Sequence, residues 1–510
     1  MTAPGDRVAG EHSRSGLGPG PDRSGDAHPV VVVVGGGVAG LAAAEALLDT
    51  VDRAHIEVRL YEATSRVGGK LRSIDFADRR LDVGPDAFLA RRPEAVDLAR
   101  RVGLGDELRA PATGRAWIAT GRRLVPLPDG LVLGVPTSLG PLVRSPLVGP
   151  IGAARAALDE VLPRRPPVRP IAIGALTRAR LGRRVTEMLV EPLLGGINAG
   201  RIDELDTETV APQLWAAAQR PGGLMAALRE ARRPASTPTP PESEAGSERR
   251  PDPTFFGLEA GLERLPATLA GRLVARGLRV ELDRTVEALA AVRPGDPTSA
   301  LWLTSRRADG RPVVEEVAGV VVATPAPAAA RLLAEVAPES AARLAGIPYA
   351  GVAVATLRYP PGAVARPLDG SGVLVPRPEG RLMTACTWSS VKWPHLSRSG
   401  DTVLRVSAGH AGDLRPEGED DETLLRRLRL EVAELFPFLR PPSDALLTRW
   451  PAAFPQYLPG HRDRVEAIRA ALPPTVQVAG AALDGVGIPA CVASGARAGR
   501  LLAGGVLAGG

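Results

Sequence analysis

The sequence predicts an α/β fold in which one parallel sheet is assembled from separated parts of the chain, and three observations predict it. Five consecutive valines, Val30 to Val34, form the short β-branched run of a strand buried on both faces. Three glycines at the G-x-G-x-x-G spacing, Gly35, Gly37 and Gly40, follow at once, and Leu41, Ala42, Ala44, Leu47 and Leu48 then recur at helical spacing. Near the other end, Val476 to Ala479 again reads as a strand running into a glycine-rich turn and a helix.

The first unit carries a binding site. Such a turn needs glycine for a tight bend, for approach of bare backbone to a pyrophosphate, and for close packing of helix on strand. The free N–H groups where the helix starts, over Gly35, Gly36, Gly37, Val38, Ala39 and Gly40, then face the phosphates. Downstream, Ile56, Val58 and Leu60 alternate with Glu57 and Arg59, so a second strand ends at Tyr61. Glu62 falls just past its carboxyl end, the ribose-binding position. A lone glycine triplet is a weak signal in a chain with 57 glycines. Strand, helix, strand and terminal acid in register specify a Rossmann-like dinucleotide-binding domain.

Residues 62–70, EATSRVGGK, decide which dinucleotide. Arg66 and Lys70 bring positive charge toward a pyrophosphate, while Gly68 and Gly69 keep the backbone bare against a cofactor. The segment resembles the second signature of the flavoprotein superfamily that includes amine oxidases, phytoene desaturases and protoporphyrinogen oxidases, a signature NAD enzymes usually lack. The resemblance implies FAD, with Glu62, Ala63, Arg66, Gly69 and Lys70 among its contacts. Lysine is scarce: of 63 basic residues only Lys70 and Lys392 are lysine, so each marks a place where a compact ammonium fits and a guanidinium does not. For Lys392 a chance survivor is the alternative.

Residues 81–93, LDVGPDAFLARRP, narrow the resemblance to the porphyrinogen oxidases that act on coproporphyrinogen III or protoporphyrinogen IX. In that family the segment passes beneath the flavin, which implicates Gly84, Pro85, Asp86 and Ala87. Further on, residues 189–206 resemble the family pattern GIYAGD but depart from it at Asn198 and Arg201. The stretch from Gly257 resembles a family turn and helix, and the strand-like LRVELDRTV ends at Val286, where the superfamily packs backbone on the adenine. GVLVPRPEG and TWSSVKWPHL, at 372–380 and 387–396, also resemble porphyrinogen oxidase segments, and Trp450 resembles the family's residue near the flavin. The closing GIPACVASG resembles the final family motif. There a helix start at Val486, Gly487 and Ile488 would put its positive dipole end at the flavin pyrimidine. Cys491 reads as a small buried thiol, so the FAD is expected to be non-covalent.

Composition excludes other classes. The 510 residues exceed one ordinary core, and 44% hydrophobic with 24% charged residues is that of a globular protein. A net charge of +6 favours anionic partners, but aromatics are 3% and no basic stretch is interleaved with them, so nucleic acid is not expected. Two cysteines, Cys386 and Cys491, make no disulfide framework, and the six histidines show no paired ligand spacing, so no metal is expected. No stretch approaches the roughly 18 apolar residues of a membrane span.

The expected organisation is a tail over 1–28, an FAD-binding domain in three parts (29–93, 255–340 and 450–510), a helical substrate-side insertion over 94–220, and a flexible loop over 231–254. A substrate domain over 349–449 completes it, with alternating runs that suggest an antiparallel sheet within a mixed-sheet domain. The resemblance implies a cytoplasmic, FAD-dependent oxidase in porphyrin biosynthesis, with a face that can lie on membrane. It would take six electrons from coproporphyrinogen III in three hydride transfers, with dioxygen as acceptor and peroxide as product. Substrate propionates need cationic partners, for which Arg91, Arg92 and Lys392 are candidates; no catalytic residue is assigned. Protoporphyrinogen IX is the alternative substrate. An amine oxidase, a carotenoid desaturase, and a nonenzymatic protein like the Rab GDP-dissociation inhibitors are the rival readings on the same scaffold.

Overall fold

In a computed structural model, the structure describes residues 28–51, 55–161, 166–232 and 253–508. The expected tail, apart from His28, and most of the expected loop over 231–254 lie outside the described residues. Five parallel strands form the nucleotide-type sheet: β1 (Val30–Val34), β2 (Glu57–Tyr61), β3 (Arg279–Glu281), β4 (Gly319–Val322) and β5 (Val476–Val478). Their order is β3-β2-β1-β4-β5. In a sheet of this order the crevice opens where the connections diverge, between β1 and β4 at the carboxyl ends of the strands.

The valine run is explained by two cores. Val31 and Val33 point into one, shared with α1 (Val38–Thr50) and α2 (Ile488–Ala508), while Val32 and Val34 point into another, shared with the helix Ala326–Leu333. A strand covered on both faces has no polar position to fill. The two long helices meet through small residues. A Cβ on Gly495 would sit 1.9 Å from the Ala39 carbonyl oxygen, and one on Gly499 2.4 Å from that of Ala43. First and last segments of the chain are thereby packed backbone to backbone.

The second sheet has seven strands, in the order Asp444–Pro455, Tyr349–Tyr359, Thr402–Ala408, Met383–Trp388, Gly372–Leu374, Ala116–Thr120 and Arg123–Pro126. It is the expected mixed sheet, and it corrects two expectations about which parts of the chain supply its strands. The sheet is antiparallel except that Gly372–Leu374 pairs parallel with Ala116–Thr120. Two of its strands come from the region expected to be a helical insertion. Ile118 faces the core of the helical block and Ala119 the core of the sheet, so a strand is the element that serves both. The strand Asp444–Pro455 also runs across the expected break at residue 450.

That region holds three further short strands, Leu108–Arg109, Leu131–Val132 and Val135–Pro136, and from Leu139 to Ala231 every described element is a helix. The helix Ile173–Leu181 stops there because Gly182 takes φ +84°, and after a short helical turn, Arg183–Val185, the chain continues as a ten-residue π-helix, Thr186–Gly195. The strand expected to end at Val286 is two strands, broken at Asp283 with φ +52°; its second half, Thr285–Ala291, starts a three-stranded antiparallel sheet that the sequence pattern did not reveal. Among the described residues, no helix is long and apolar enough to cross a membrane, and no cluster of side chains could hold a metal ion.

Candidate functional site

A cavity of about 2000 Å³ opens at the crevice between β1 and β4 and continues beneath the second sheet and the helical block. Both α1 and α2 begin on its wall, at Gly37–Ala39 and at Val486–Ile488. The wall at Gly37 is bare, since a Cβ there would meet nothing within 4 Å. Its neighbours are closed. Gly35 has φ +107°, and a Cβ on Gly40 would lie 1.9 Å from the Gly35 carbonyl oxygen, so the turn admits no side chain at either position.

Glu62 lies against this turn. Its Oε2 accepts from the Gly36 N–H at 2.7 Å, and Oε1 accepts from the Thr64 N–H and hydroxyl at 3.0 and 2.8 Å. Glu62, Ala63 and Val286 share one stretch of wall, because the Arg284 N–H donates to the Glu62 carbonyl at 2.9 Å and draws the strand Thr285–Ala291 alongside. Arg284, which the sequence reading missed, holds that corner. Its guanidinium stacks 3.8 Å from the Tyr61 ring centroid and donates to Glu281 at 2.6 Å.

The R-V-G-G-K turn rests on the glycine loop through a 2.8 Å bond from the Gly68 N–H to the Gly36 carbonyl. Gly69 and Lys70 line the cavity, but Arg66 does not. Its guanidinium donates to the carbonyls of Gly69, Val67 and Leu71 and pairs with Glu263 at 3.3 Å. The expected pyrophosphate cation is therefore a staple for its own turn, since a planar fork suits several closely spaced carbonyls. Lys70 turns toward the second sheet and donates to the Ala453 carbonyl at 2.7 Å. Burial pulls its ammonium down to about 8.

The Gly84–Ala87 segment lines the cavity floor, with a Cβ on Gly84 excluded by the Lys70 carbonyl oxygen at 2.1 Å. Trp450 covers it and donates its indole N–H to the Val83 carbonyl at 3.0 Å. Asp86 is fixed by the Lys392 ammonium at 2.8 Å, the Trp393 indole at 3.0 Å and Arg405 at 3.7 Å. Burial alone would push its carboxyl up, but the two cations overcome that and hold it far below the usual carboxylate range. Lys392 is thus corrected: it does not line the cavity, and its charge is taken up by Asp86. Arg405, also missed, donates to the Gly84 carbonyl at 2.5 Å and does line it.

Farther along the wall stand Arg91 and Arg92. Arg92 is bonded to Glu94 at 3.0 Å, whereas Arg91 has no acceptor among the described residues. Asn198, where the sequence departs from the family pattern, is buried on the wall and donates to the Leu194 carbonyl at 2.8 Å. The Cys491 thiol is buried beside Ile488, and burial pushes it up to about 12. It is a protonated, inert group.

A flavin dinucleotide fits this wall. Two helix starts supply free N–H groups, the Gly37 face has no side chain, and the volume exceeds the roughly 300–1,000 Å³ usual for a single small ligand, leaving room for a second large molecule. The family described as flavin containing amine oxidoreductase matches residues 38–503. A coproporphyrinogen III oxidase of Bacillus subtilis is 32% identical over 473 residues, covering 92% of this chain and 96% of that protein. One of Mycobacterium leprae is 35% identical over 476 residues, covering 91% and 96%. Among solved structures, a protein from Exiguobacterium provisionally assigned as a protoporphyrinogen oxidase matches with TM-score 0.79 and 30% identity, over 93% of this chain and 98% of that one.

Proposed function

The chain belongs to the flavin containing amine oxidoreductase family and carries a flavin, and from that premise we propose that it oxidises coproporphyrinogen III to coproporphyrin III with non-covalent FAD and dioxygen. The observation that carries the reading is the single cavity on which both glycine-lined helix starts open. The names and coverage of the relatives support the substrate class.

Bound FAD would supply the hydride acceptor for three two-electron rounds, with dioxygen as the terminal oxidant. The residues of this chain bind, orient and exclude water. Gly37, Val38 and Ala39 would present bare backbone and N–H groups to the pyrophosphate, with Gly35, whose own N–H goes to the Tyr61 carbonyl, lending only bare backbone; Glu62 would take the ribose, and Val286 would back the adenine. Gly84, Pro85, Asp86 and Ala87, on the cavity floor, would hold the ring from that side. Their height is fixed by the Asp86 ion pairs and the Trp450 bond to Val83. The start of α2 at Val486–Ile488 meets negative charge on the ring with its free N–H groups.

Arg91 is the propionate partner we favour, because its guanidinium stands on the wall with no acceptor among the described residues and a carboxylate bound there gains a charge-assisted bond. Arg91→Ala is expected to raise KM for coproporphyrinogen III about tenfold with kcat nearly unchanged, the signature of lost uniform binding of about 1.4 kcal/mol. Arg92, shared with Glu94, contributes less. An unchanged KM in the Arg91 variant removes it from the site.

The same reading places the protein in the cytoplasm, with exposed apolar residues such as Ile151 and Val168 resting on a membrane surface. Pelleting with anionic vesicles checks that contact. A visible spectrum of the purified protein, followed by anaerobic titration with coproporphyrinogen III, tests the function. The flavin bands should be present and should bleach. A colourless protein, or bands that bleach with an amine and not with a porphyrinogen, overturns it. The Exiguobacterium neighbour favours protoporphyrinogen IX as a second reading. Faster turnover of that substrate, measured side by side, would decide for it.

A further inference from the structure

Among the described residues five carboxylates line the cavity: Glu62, Asp86, Glu191, Glu287 and Asp484. Four are committed to donors. Glu62 is bonded to Gly36 and Thr64, Asp86 to Lys392 and Trp393, Glu287 to Arg306 at 2.7 Å, and Asp484 to Arg469 at 2.5 Å and Ser494 at 2.7 Å. Glu191 differs. It projects from the π-helix Thr186–Gly195, an irregularity often found where a side chain has been re-aimed for function. Its side chain is 13% exposed, and it meets one cation, Arg377, at 3.1 Å, which is shared with the Gly200 carbonyl at 2.9 Å. The Arg377 N–H, at 3.5 Å, is a marginal second donor.

Resting on the porphyrinogen reading above, we propose that Glu191 is a catalytic residue, the acceptor of the protons that leave the substrate pyrroles. Complete oxidation removes six hydrogens, in three rounds. In each, a meso C–H bond breaks and its electron pair leaves with the hydrogen to the flavin. In the third round the last meso CH2 also hands a proton to a pyrrole nitrogen, so that four meso and two N–H hydrogens leave in all. The cationic pyrrole system left behind in each round loses an N–H proton, whose bonding pair stays on nitrogen and restores neutrality. That proton goes to a carboxylate oxygen of Glu191, which returns it to water before the next round. The charges around Glu191 suit the task. Burial pushes its carboxyl up, Arg377 pulls it down, and Asp203 and Glu187 push it up again, with the upward shift prevailing. Other groups on the wall are less available: His410 directs Nδ1 to the Ala411 carbonyl at 2.8 Å and Nε2 toward Asp413 at 3.8 Å, and the Lys70 ammonium is bonded to Ala453.

The test uses the FAD-loaded full chain, with Glu191→Gln and Glu191→Asp. Anaerobic bleaching of the flavin by coproporphyrinogen III should slow about 10²–10⁴-fold in the Gln variant. In the wild type the rate should fall as pH drops through a value above the ordinary glutamate pKa. That limb should vanish with Gln and return with Asp. Calorimetry in buffers of different ionisation enthalpy gives a second readout: binding of coproporphyrin III, a tetracarboxylate, should draw a proton onto the wild-type protein and none onto the Gln variant. An unaltered pH limb or equal proton uptake in the Gln variant overturns the proposal, as does loss of flavin in both variants, which would make Glu191 a structural partner of Arg377. A wild type that coproporphyrinogen does not bleach overturns the substrate reading itself, whatever the variants do.

Discussion

Gly40→Val is expected to yield a protein without yellow colour. The position has no Cβ space. The nearest atom is the Gly35 carbonyl oxygen at 1.9 Å, and Gly35 is itself pinned at φ +107° with its own Cβ position 2.9 Å from the Ala323 carbonyl. Neither backbone can give way without moving α1 off β1 or β4 off its neighbour. Overpacking of this kind costs about 1–3 kcal/mol before further methyl groups are counted. The cost falls on the turn that presents N–H groups to the cofactor, and each 1.4 kcal/mol of lost affinity is about tenfold in Kd. Flavin absorbance per protein should therefore fall below about a tenth of the wild-type value. Gly271→Ala is the control. It lies in the helix Arg264–Ala275 with nothing within 4 Å of a Cβ, so it should keep its flavin and gain about 0.5–1 kcal/mol of helix stability. A fully loaded Gly40 variant would break the link between this turn and the cofactor.

Arg79→Ala should be the most damaging substitution outside the cavity. The Arg79 and Asp401 side chains are 2% and 0% exposed and form a two-point pair at 2.9 and 2.6 Å. Arg79 also donates to the Leu396 carbonyl at 2.6 Å, and Arg358 reaches Asp401 at 2.8 Å. Removing Arg79 strands a buried carboxylate with a weaker set of donors and should cost about 3–5 kcal/mol. Differential scanning calorimetry should show the transition moved down by roughly 2–4 °C per kcal/mol. A shift under one degree would mean that solvent or Arg358 replaces the lost partner.

The pair also sets a pH dependence. The arginines hold Asp401 down to about 2 against burial, below its ordinary 3.8, so the stability it contributes is complete above the ordinary value and disappears as pH falls through about 2. Asp82 runs the other way. Burial pushes it up to about 6 despite bonds from Ser73 and the Leu262 N–H, so the folded state favours its protonated form, and that contribution is lost as pH rises through about 6. Asp82→Asn should flatten the second slope and leave the strong-acid one intact, as read from thermal midpoints across pH.

The valine strand, the glycine turn, the helix after it, the position of Glu62 and the closing glycine-rich helix start are all legible in the order of residues along the chain. These rest on backbone preferences and on periodicity within a few residues, so neighbours in sequence are enough to specify them. Which cations serve the site follows from contacts between parts of the chain far apart in sequence. Arg405 reaches Gly84 across 321 residues, Lys392 reaches Asp86 across 306, and Arg79 reaches Asp401 across 322. In a chain with dozens of arginines, nothing local distinguishes the one that closes a cavity floor from those in solvent. The same holds for Arg66, whose place in a flavin signature could not reveal that its own turn consumes its donors. A charge acquires a role from the partner brought within about 3–4 Å of it, and that approach is fixed by how the two sheets and the helical block pack.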